Sequence, residues 1–216
     1  MNPESSFSWE IFNQAPIIGI LRGLPLPDTI EIASAFYKAG FRTLEVTMNT
    51  SGAADIIKHL QAEFPQLYVG AGTVCNLSDL NEAIEAGSQF IVTPVIKEEV
   101  ILQAVKQEIP IFPGAYTPSE IYRAWELGAT AVKVFPATQL GTRFIKDVKA
   151  PLNTIKLLPT GGVSLENIRS FFEAGVVGVG MGSSLFNKEL IEQQDYTGLQ
   201  HHFDKIKAEI KEYCIS

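Results

Sequence analysis

Residues 130–137 read TAVKVFPA. The run is short and apolar, carries the β-branched Val132 and Val134, and stops at Pro136, as a buried strand does. Strand alternation divides it: Val132 and Val134 share one face, while Ala131, Lys133 and Phe135 share the other. Lys133 is out of place there. Burying an unpaired ammonium is costly, or it strips the lysine of its proton. A scaffold is therefore needed that covers the valines with helices and opens a polar chamber toward the lysine.

Similar apolar runs recur along the chain: 16–21 (PIIGIL), 42–47 (RTLEVT), 67–70 (LYVG), 89–93 (QFIVT), 110–112 (PIF), 155–158 (IKLL) and 176–179 (VVGV). Between them lie amphipathic stretches such as DTIEIASAFYKAG and SLENIRSFFEAG. Asp28, Ser78, Thr117 and Ser164 are the expected helix caps, and Gly40, Gly87, Gly128 and Gly175 the expected stops. Strand–helix alternation calls for a parallel sheet. Eight units in just over 200 residues favour a closed (β/α)8 TIM barrel over an open doubly wound sheet. No Pro/Gly/Ser-rich linker interrupts the pattern, so residues 1–216 read as a single barrel domain. SSFSWEIFNQ reads as a short N-terminal helix closing the barrel bottom. Leu199, Phe203, Ile206 and Ile210 are spaced as the apolar stripe of a C-terminal amphipathic helix.

The chain has 216 residues, 46% of them hydrophobic, enough to bury one core. Its net charge of −7 gives no basic footprint for nucleic acid or an anionic membrane. The first fifteen residues carry Glu4 and Glu10 and no Lys or Arg, unlike a secretory signal, and no apolar run reaches membrane-spanning length. Cys75 and Cys214 are too few and too far apart for a disulfide framework. A soluble cytoplasmic protein is the expectation.

In such barrels reactive groups gather at the C-terminal ends of the strands. Those ends supply Arg22, Glu45 with Thr47, Thr73, Pro94, Gly114, Lys133, Thr160-Gly161-Gly162 and Gly182-Ser183. Parity sends Glu45 inward from RTLEVT and Lys133 inward from TAVKVF, on opposite sides of the barrel. A buried lysine merely paired with a carboxylate is poor stability engineering. Apolar neighbours and Arg22 should depress the lysine's pKa and leave an amine nucleophile that condenses with a ketone. Desolvation should raise the pKa of Glu45, with the ammonium opposing it, and suit it to shuttle protons. Lys156, four residues before Thr160, is expected at the solvated bottom of the barrel.

Two glycine-rich loops, PTGGV and GMGSS, follow the last two strands, where this fold usually cradles phosphate through backbone N–H groups. Gly161, Gly162, Gly182 and Ser183 are the expected phosphate contacts. His59, His201 and His202 fall on helices away from the strand ends, with the tandem pair expected on a solvated face. No set of His, Asp or Glu has metal-ligand spacing, so neither metal nor cofactor is expected. Cys75 is expected to pack rather than react.

The ordered set LEVT (44–47), GAGT (70–73), VTP (92–94), PGAYTPSE (113–120), KVFPA (133–137), PTGGV (159–163) and MGSS (181–184) resembles the KDPG/KHG aldolases, from about Ile18 to Phe186. The resemblance implies a metal-free class I aldolase, a carbon–carbon lyase. It would split 2-dehydro-3-deoxy-6-phosphogluconate into pyruvate and D-glyceraldehyde 3-phosphate, the cleavage of the Entner-Doudoroff pathway, and typically as a homotrimer. Cleavage of 4-hydroxy-2-oxoglutarate could accompany it. Carried over by position, Lys133 forms the Schiff base and Glu45 moves protons. Arg22 and Thr73 meet the pyruvyl carboxylate region, Pro94 and Phe135 shape the pocket, and Thr160 lies near the substrate hydroxyls. Asn49 stands where several relatives have arginine, which leaves 2-dehydro-3-deoxy-6-phosphogalactonate as the alternative substrate. A phosphosugar epimerase or isomerase would lack the strand lysine, and a non-catalytic phosphate-binding barrel would not need both Glu45 and Lys133.

Overall fold

The computed structural model describes residues 8–215. In chain order the elements begin with α1 (Trp9–Phe12), β1 (Ile17–Leu21), α2 (Leu26–Lys38), β2 (Thr43–Thr47), α3 (Ala53–Glu63), β3 (Tyr68–Gly72) and α4 (Leu77–Glu85). They continue with β4 (Ile91–Val92), α5 (Glu98–Lys106), β5 (Ile111–Phe112), β6 (Gly114–Ala115), α6 (Pro118–Glu126), β7 (Val132–Val134) and α7 (Gly141–Lys149). The chain ends with β8 (Leu157–Pro159), α8 (Ile168–Glu173), β9 (Val179–Met181), α9 (Lys188–Glu192) and α10 (Tyr196–Glu209).

All strand pairs are parallel. Six strands form a curled sheet in the order β5-β4-β3-β2-β1-β9, and three form a second sheet in the order β6-β7-β8. Hydrogen bonds join the edges. Thr130 donates its N–H to Ile111 O at 2.9 Å, Val177 donates to Leu157 O at 3.1 Å, and Thr160 forms a parallel bridge with Gly180. Eight runs were expected; nine strands are found. The fifth run is found as β5, and β6 lies beyond its expected end, across Pro113, which has no N–H to offer a neighbour. Its carbonyl still accepts the Lys133 N–H at 2.9 Å, so the chain passes directly from β5 into β6. The last strand starts at Val179, later than expected, and Gly178 just before it lies against the Phe12 ring, where any side chain would collide.

Thr117 caps α6 in a reciprocal box with Glu120, as its sequence predicts. The other three expected caps are corrected. Asn76 intercepts the Asp79 N–H before Ser78 can act. Pro27 lets α2 begin at Leu26, which leaves Asp28 in its first turn. Ser164 sits in a turn ahead of α8, and Asn167 occupies the cap position. The four glycine stops all hold left-handed backbone, with φ between 87° and 97°. At the N-terminus the expected helix is α1, capped by Ser8; residues 5–7 of that stretch lie outside the described residues. In α10, Leu199, Phe203 and Ile206 are buried as their spacing predicts, and Ile210 is buried just beyond.

Two apolar clusters occupy the two faces of the strands. The larger holds the helices against the sheets and includes Leu44, Val46, Val132 and Val134. The smaller fills the concave face with Phe12, Ile18, Phe90, Val92, Phe112, Ala131 and Leu158. Alternation thus divides residues 131–134 as its pattern predicts, with Ala131 in one cluster and both valines in the other.

Candidate active site

Glu45 lies within β2, and Lys133 is the middle residue of β7. Both are nearly sealed from solvent, at 1% and 4% exposure. β2 is buried along its whole length, and a Cβ on Gly72 of β3 would collide with the Glu45 carboxylate. The glycine therefore supplies the room in which the carboxylate sits. Glu45 Oε1 is buried without a hydrogen-bond partner, and so is Thr160 Oγ1 just past β8. Orphaned buried acceptors are rare in folded proteins and point to a group held ready for something else.

Burial pushes the Glu45 carboxyl up, while the charges of Lys133 and Arg22 pull it down less strongly. Burial pushes the Lys133 ammonium down, Glu45 opposes that, and Arg22 adds to it. These are the directions the sequence predicts. A carboxyl that holds its proton more tightly than usual and an amine that gives its own up more readily suit proton transfer and nucleophilic attack. The Lys133 Nζ lies 4.9 Å from the Phe135 ring centroid, so the apolar face of that ring borders it. Cys75 is half-buried and its thiol is raised by burial, in keeping with packing rather than reactivity.

Above this pair opens a cavity of about 660 Å³, within the size range of small-molecule sites. Its wall contains Arg22, Phe135, Thr160, Gly161, Gly162, Gly182 and Ser183 from the residues singled out in the sequence. Lys133, Glu45, Thr73 and Pro94 are not in that wall. Phe135, whose ring borders the Lys133 ammonium, is in it. Thr73 follows β3 at φ 57°, a left-handed conformation that costs a threonine about 1–3 kcal/mol and is typical of functional sites.

The two glycine loops converge on the cavity. Gly161 and Gly162 have φ of 88° and 76°, a turn that only glycine adopts without strain. After β9, Leu185 and Phe186 both donate to Gly182 O at 2.9 Å, which winds residues 182–186 into a helical turn. The N–H groups of Gly161, Gly162, Ser183 and Ser184 meet no backbone acceptor among the described residues. Such a nest of free donors is suited to an anion.

Side chains clip the loops together. Ser184 Oγ donates to Val163 O, and Asn167 Nδ2 donates to Gly162 O at 2.8 Å. His202 of α10 donates its Nε2–H to Ser184 O at 2.8 Å. A carbonyl only accepts, so Nε2 must carry the proton. This corrects the expectation of a solvated histidine pair: His201 is exposed, whereas His202 is half-buried against the second glycine loop. No local signal marks it, because its partner lies 18 residues away in the chain. Lys156 stands 4.2 Å from the Trp9 ring centroid, at the opposite end of β8 from Thr160. Sequence reading also missed the outer wall of the cavity, which Asp28, Lys188, Glu192 and Gln194 supply. Among the described residues no group of three or more His, Cys, Asp or Glu is arranged to hold a metal ion, and no helix is long and apolar enough to cross a membrane.

Comparison with known proteins gives one answer. The family model for KDPG and KHG aldolase matches residues 9–201. The KHG/KDPG aldolase of Escherichia coli (strain K12) is 33% identical over 187 residues, covering 86% of this chain and 88% of that protein. The 2-dehydro-3-deoxy-6-phosphogalactonate aldolase of the same organism is 36% identical over 173 residues, covering 79% of this chain and 84% of that protein. Among solved structures, KDPG aldolase from Legionella pneumophila, with pyruvate captured at low pH as a covalent carbinolamine intermediate, superimposes with a TM-score of 0.84. It is 27% identical, and the match covers 92% of this chain and 97% of that one. With matches along nearly its whole length, this chain belongs to the KDPG and KHG aldolase family.

Proposed function

We propose that the protein is a class I pyruvate aldolase that cleaves 2-dehydro-3-deoxy-6-phosphogluconate to pyruvate and D-glyceraldehyde 3-phosphate, with Lys133 as the Schiff-base nucleophile and Glu45 as the proton carrier. The observation that carries the reading is the buried Lys133, held below its ordinary pKa beside a buried carboxyl held above its own. The scaffold proposed for it is a single closed (β/α)8 barrel. The hydrogen bonds from Thr130 to Ile111 and from Val177 to Leu157 support closure, as does the Thr160–Gly180 bridge.

The steps balance on one carboxyl group. The Lys133 amine adds to the C2 ketone of the substrate, and protonated Glu45 gives its proton as the resulting hydroxyl leaves as water. The iminium ion then draws the electrons of the C3–C4 bond toward nitrogen while the Glu45 carboxylate takes the C4 hydroxyl proton. The aldehyde departs. Glu45 returns that proton to C3 of the enamine. Water then adds to the new iminium, the Glu45 carboxylate takes the proton that hydrolysis sets free, and pyruvate and the free amine are released. Each step leaves Glu45 in the state the next one requires.

Arg22 and Thr73 serve the carboxylate end, with Pro94 and Phe135 shaping the pocket and Thr160 turned toward the substrate hydroxyls. The free N–H groups of Gly161, Gly162 and the Gly182–Ser183 turn hold the phosphate. Binding energy from that remote group holds the reacting carbons over Lys133. The C4 epimer, 2-dehydro-3-deoxy-6-phosphogalactonate, is the second reading, favoured by the match to an aldolase of that name and by Asn49. Assembly as a homotrimer would cover Val95, Leu102, Tyr116 and Tyr122, large apolar side chains that stand exposed.

The test is pyruvate release from each C4 epimer, with and without chelator. Cleavage of the gluconate epimer at the higher kcat/KM, unaffected by chelator, supports the proposal. Preference for the galactonate epimer selects the second reading. No cleavage of either, or chelator inhibition reversed by a divalent ion, overturns it.

A further inference from the structure

The same cavity has an outer wall that the proposed chemistry does not use. Lys188 and Glu192, one helical turn apart on α9, both line it, as does Asp28 from the first turn of α2. The Lys188 Nζ lies 3.3 Å from Glu192 Oε1, and both side chains are largely exposed, at 85% and 63%. Asn187 fixes where Lys188 starts, because its side chain caps the helix by accepting the Leu190 N–H at 3.1 Å.

Charge makes this wall more than a surface. Arg22 and Lys188 are the cations of the cavity, and Asp28 and Glu192 its anions. Arg22 acts on Glu45 and Lys133, at the reacting end. The glycine loops offer N–H dipoles but no full charge. A phosphate dianion seated there would face Glu192 and Asp28 with Lys188 as the cation on its side of the cavity. Asp28 is already engaged by the Tyr196 hydroxyl, which donates to it at 3.3 Å. Among the described residues Lys188 pairs with Glu192, through an exposed contact of the kind that contributes little and exchanges readily.

We infer that Lys188 and Glu192 act as a charge switch for phosphorylated substrates: the Lys188 ammonium leaves Glu192 to meet the phosphate, and Glu192 sets how readily it does so. The inference rests on the proposed phosphorylated substrate. The two residues are thus specificity determinants with opposite signs. Removing the lysine removes attraction for the dianion. Removing the carboxylate frees the lysine and lifts repulsion.

The experiment compares wild type, Lys188→Gln and Glu192→Gln in two ways. One is kcat/KM for 2-dehydro-3-deoxy-6-phosphogluconate and for its unphosphorylated counterpart. The other is direct binding of inorganic phosphate, which needs no turnover. Lys188→Gln should lower kcat/KM for the phosphorylated acid about three- to tenfold, through KM, and weaken phosphate binding alike. Glu192→Gln should raise both by about two- to fivefold, and added salt should shrink both effects. The changes should be confined to the phosphorylated acid. Losses of the same sign in both variants, or equal effects on both substrates, would mark a structural ion pair and overturn the inference. If wild type cleaves neither acid, the functional proposal fails, while the order of phosphate affinities still decides the switch.

Discussion

The concave side of the strands carries two layers, which at β7 and β8 come from positions two residues apart. In one, Phe12, Ile18, Phe90, Val92, Phe112, Ala131 and Leu158 pack without a polar atom among their side chains, and Phe90 meets Phe112 edge to face at 5.8 Å. In the other, Glu45, Lys133 and Thr160 are buried nearly as deeply, yet two of their oxygens lack a partner. Ala131 and Lys133 are two residues apart and belong to different layers. The first layer holds the fold together. The second is burial used against stability, since desolvation moves both charged groups away from their ordinary pKa values. The contrast teaches that chemistry here is obtained by setting polar groups on an apolar floor.

Substitutions in the two layers should therefore separate activity from stability. The largest effect is expected from Glu45→Gln, which keeps the shape and removes the proton carrier. Turnover should fall about 10²- to 10⁴-fold, with little change in thermal midpoint, while pyruvate still condenses with Lys133. Near-native cleavage and pyruvate C–H exchange would show that another group moves the proton. Phe112→Ala, in the apolar layer, should cost about 3–5 kcal/mol of unfolding free energy. The specific activity of the molecules that remain folded should change far less, as denaturation curves and active-site titration would report. A smaller loss with collapsed activity would erase the distinction between the layers.

The smallest effect concerns Lys133 as a burden on the fold. Added to Glu45→Gln, so that the carboxyl no longer titrates, Lys133→Met should stabilise by about 1–4 kcal/mol at neutral pH. Its sign with pH is fixed. Burial and Arg22 hold folded Lys133 below its ordinary value of 10.5. Below the folded pKa the lysine is charged in both folded and unfolded chains, so the penalty is complete. Between the two values the unfolded chain binds more protons, and the lysine-containing protein gains stability as pH rises. The advantage of the methionine must therefore shrink through that window. An advantage that grows with pH would contradict the account.

What could be read from the sequence follows from what is local. Val132, Lys133 and Val134 declare a strand and its two faces in three residues. Glu45 follows from the same alternation, and PTGGV and GMGSS announce turns that need glycine. What could not be read depends on chain segments meeting in space. Asp28 and Tyr196 stand 168 residues apart, and nothing local marks Asp28 as part of the cavity wall or Tyr196 as its partner. His202 looks like a surface residue until α10 is laid against the Ser184 carbonyl. Gly72 looks like a turn glycine until the Glu45 carboxylate is seen in the space of its missing side chain. The expected cap at Ser78 failed because Asn76, two residues earlier, satisfies the Asp79 N–H.

The central claim is that Lys133 is an amine nucleophile, and trapping addresses it directly. The protein is incubated with pyruvate, reduced with borohydride, digested, and its peptides mapped by mass. The account predicts a three-carbon carboxyethyl unit on Lys133, and no labelling in Lys133→Met. Labelling confined to another lysine, or none under conditions where the phosphorylated keto acid is cleaved, would contradict it.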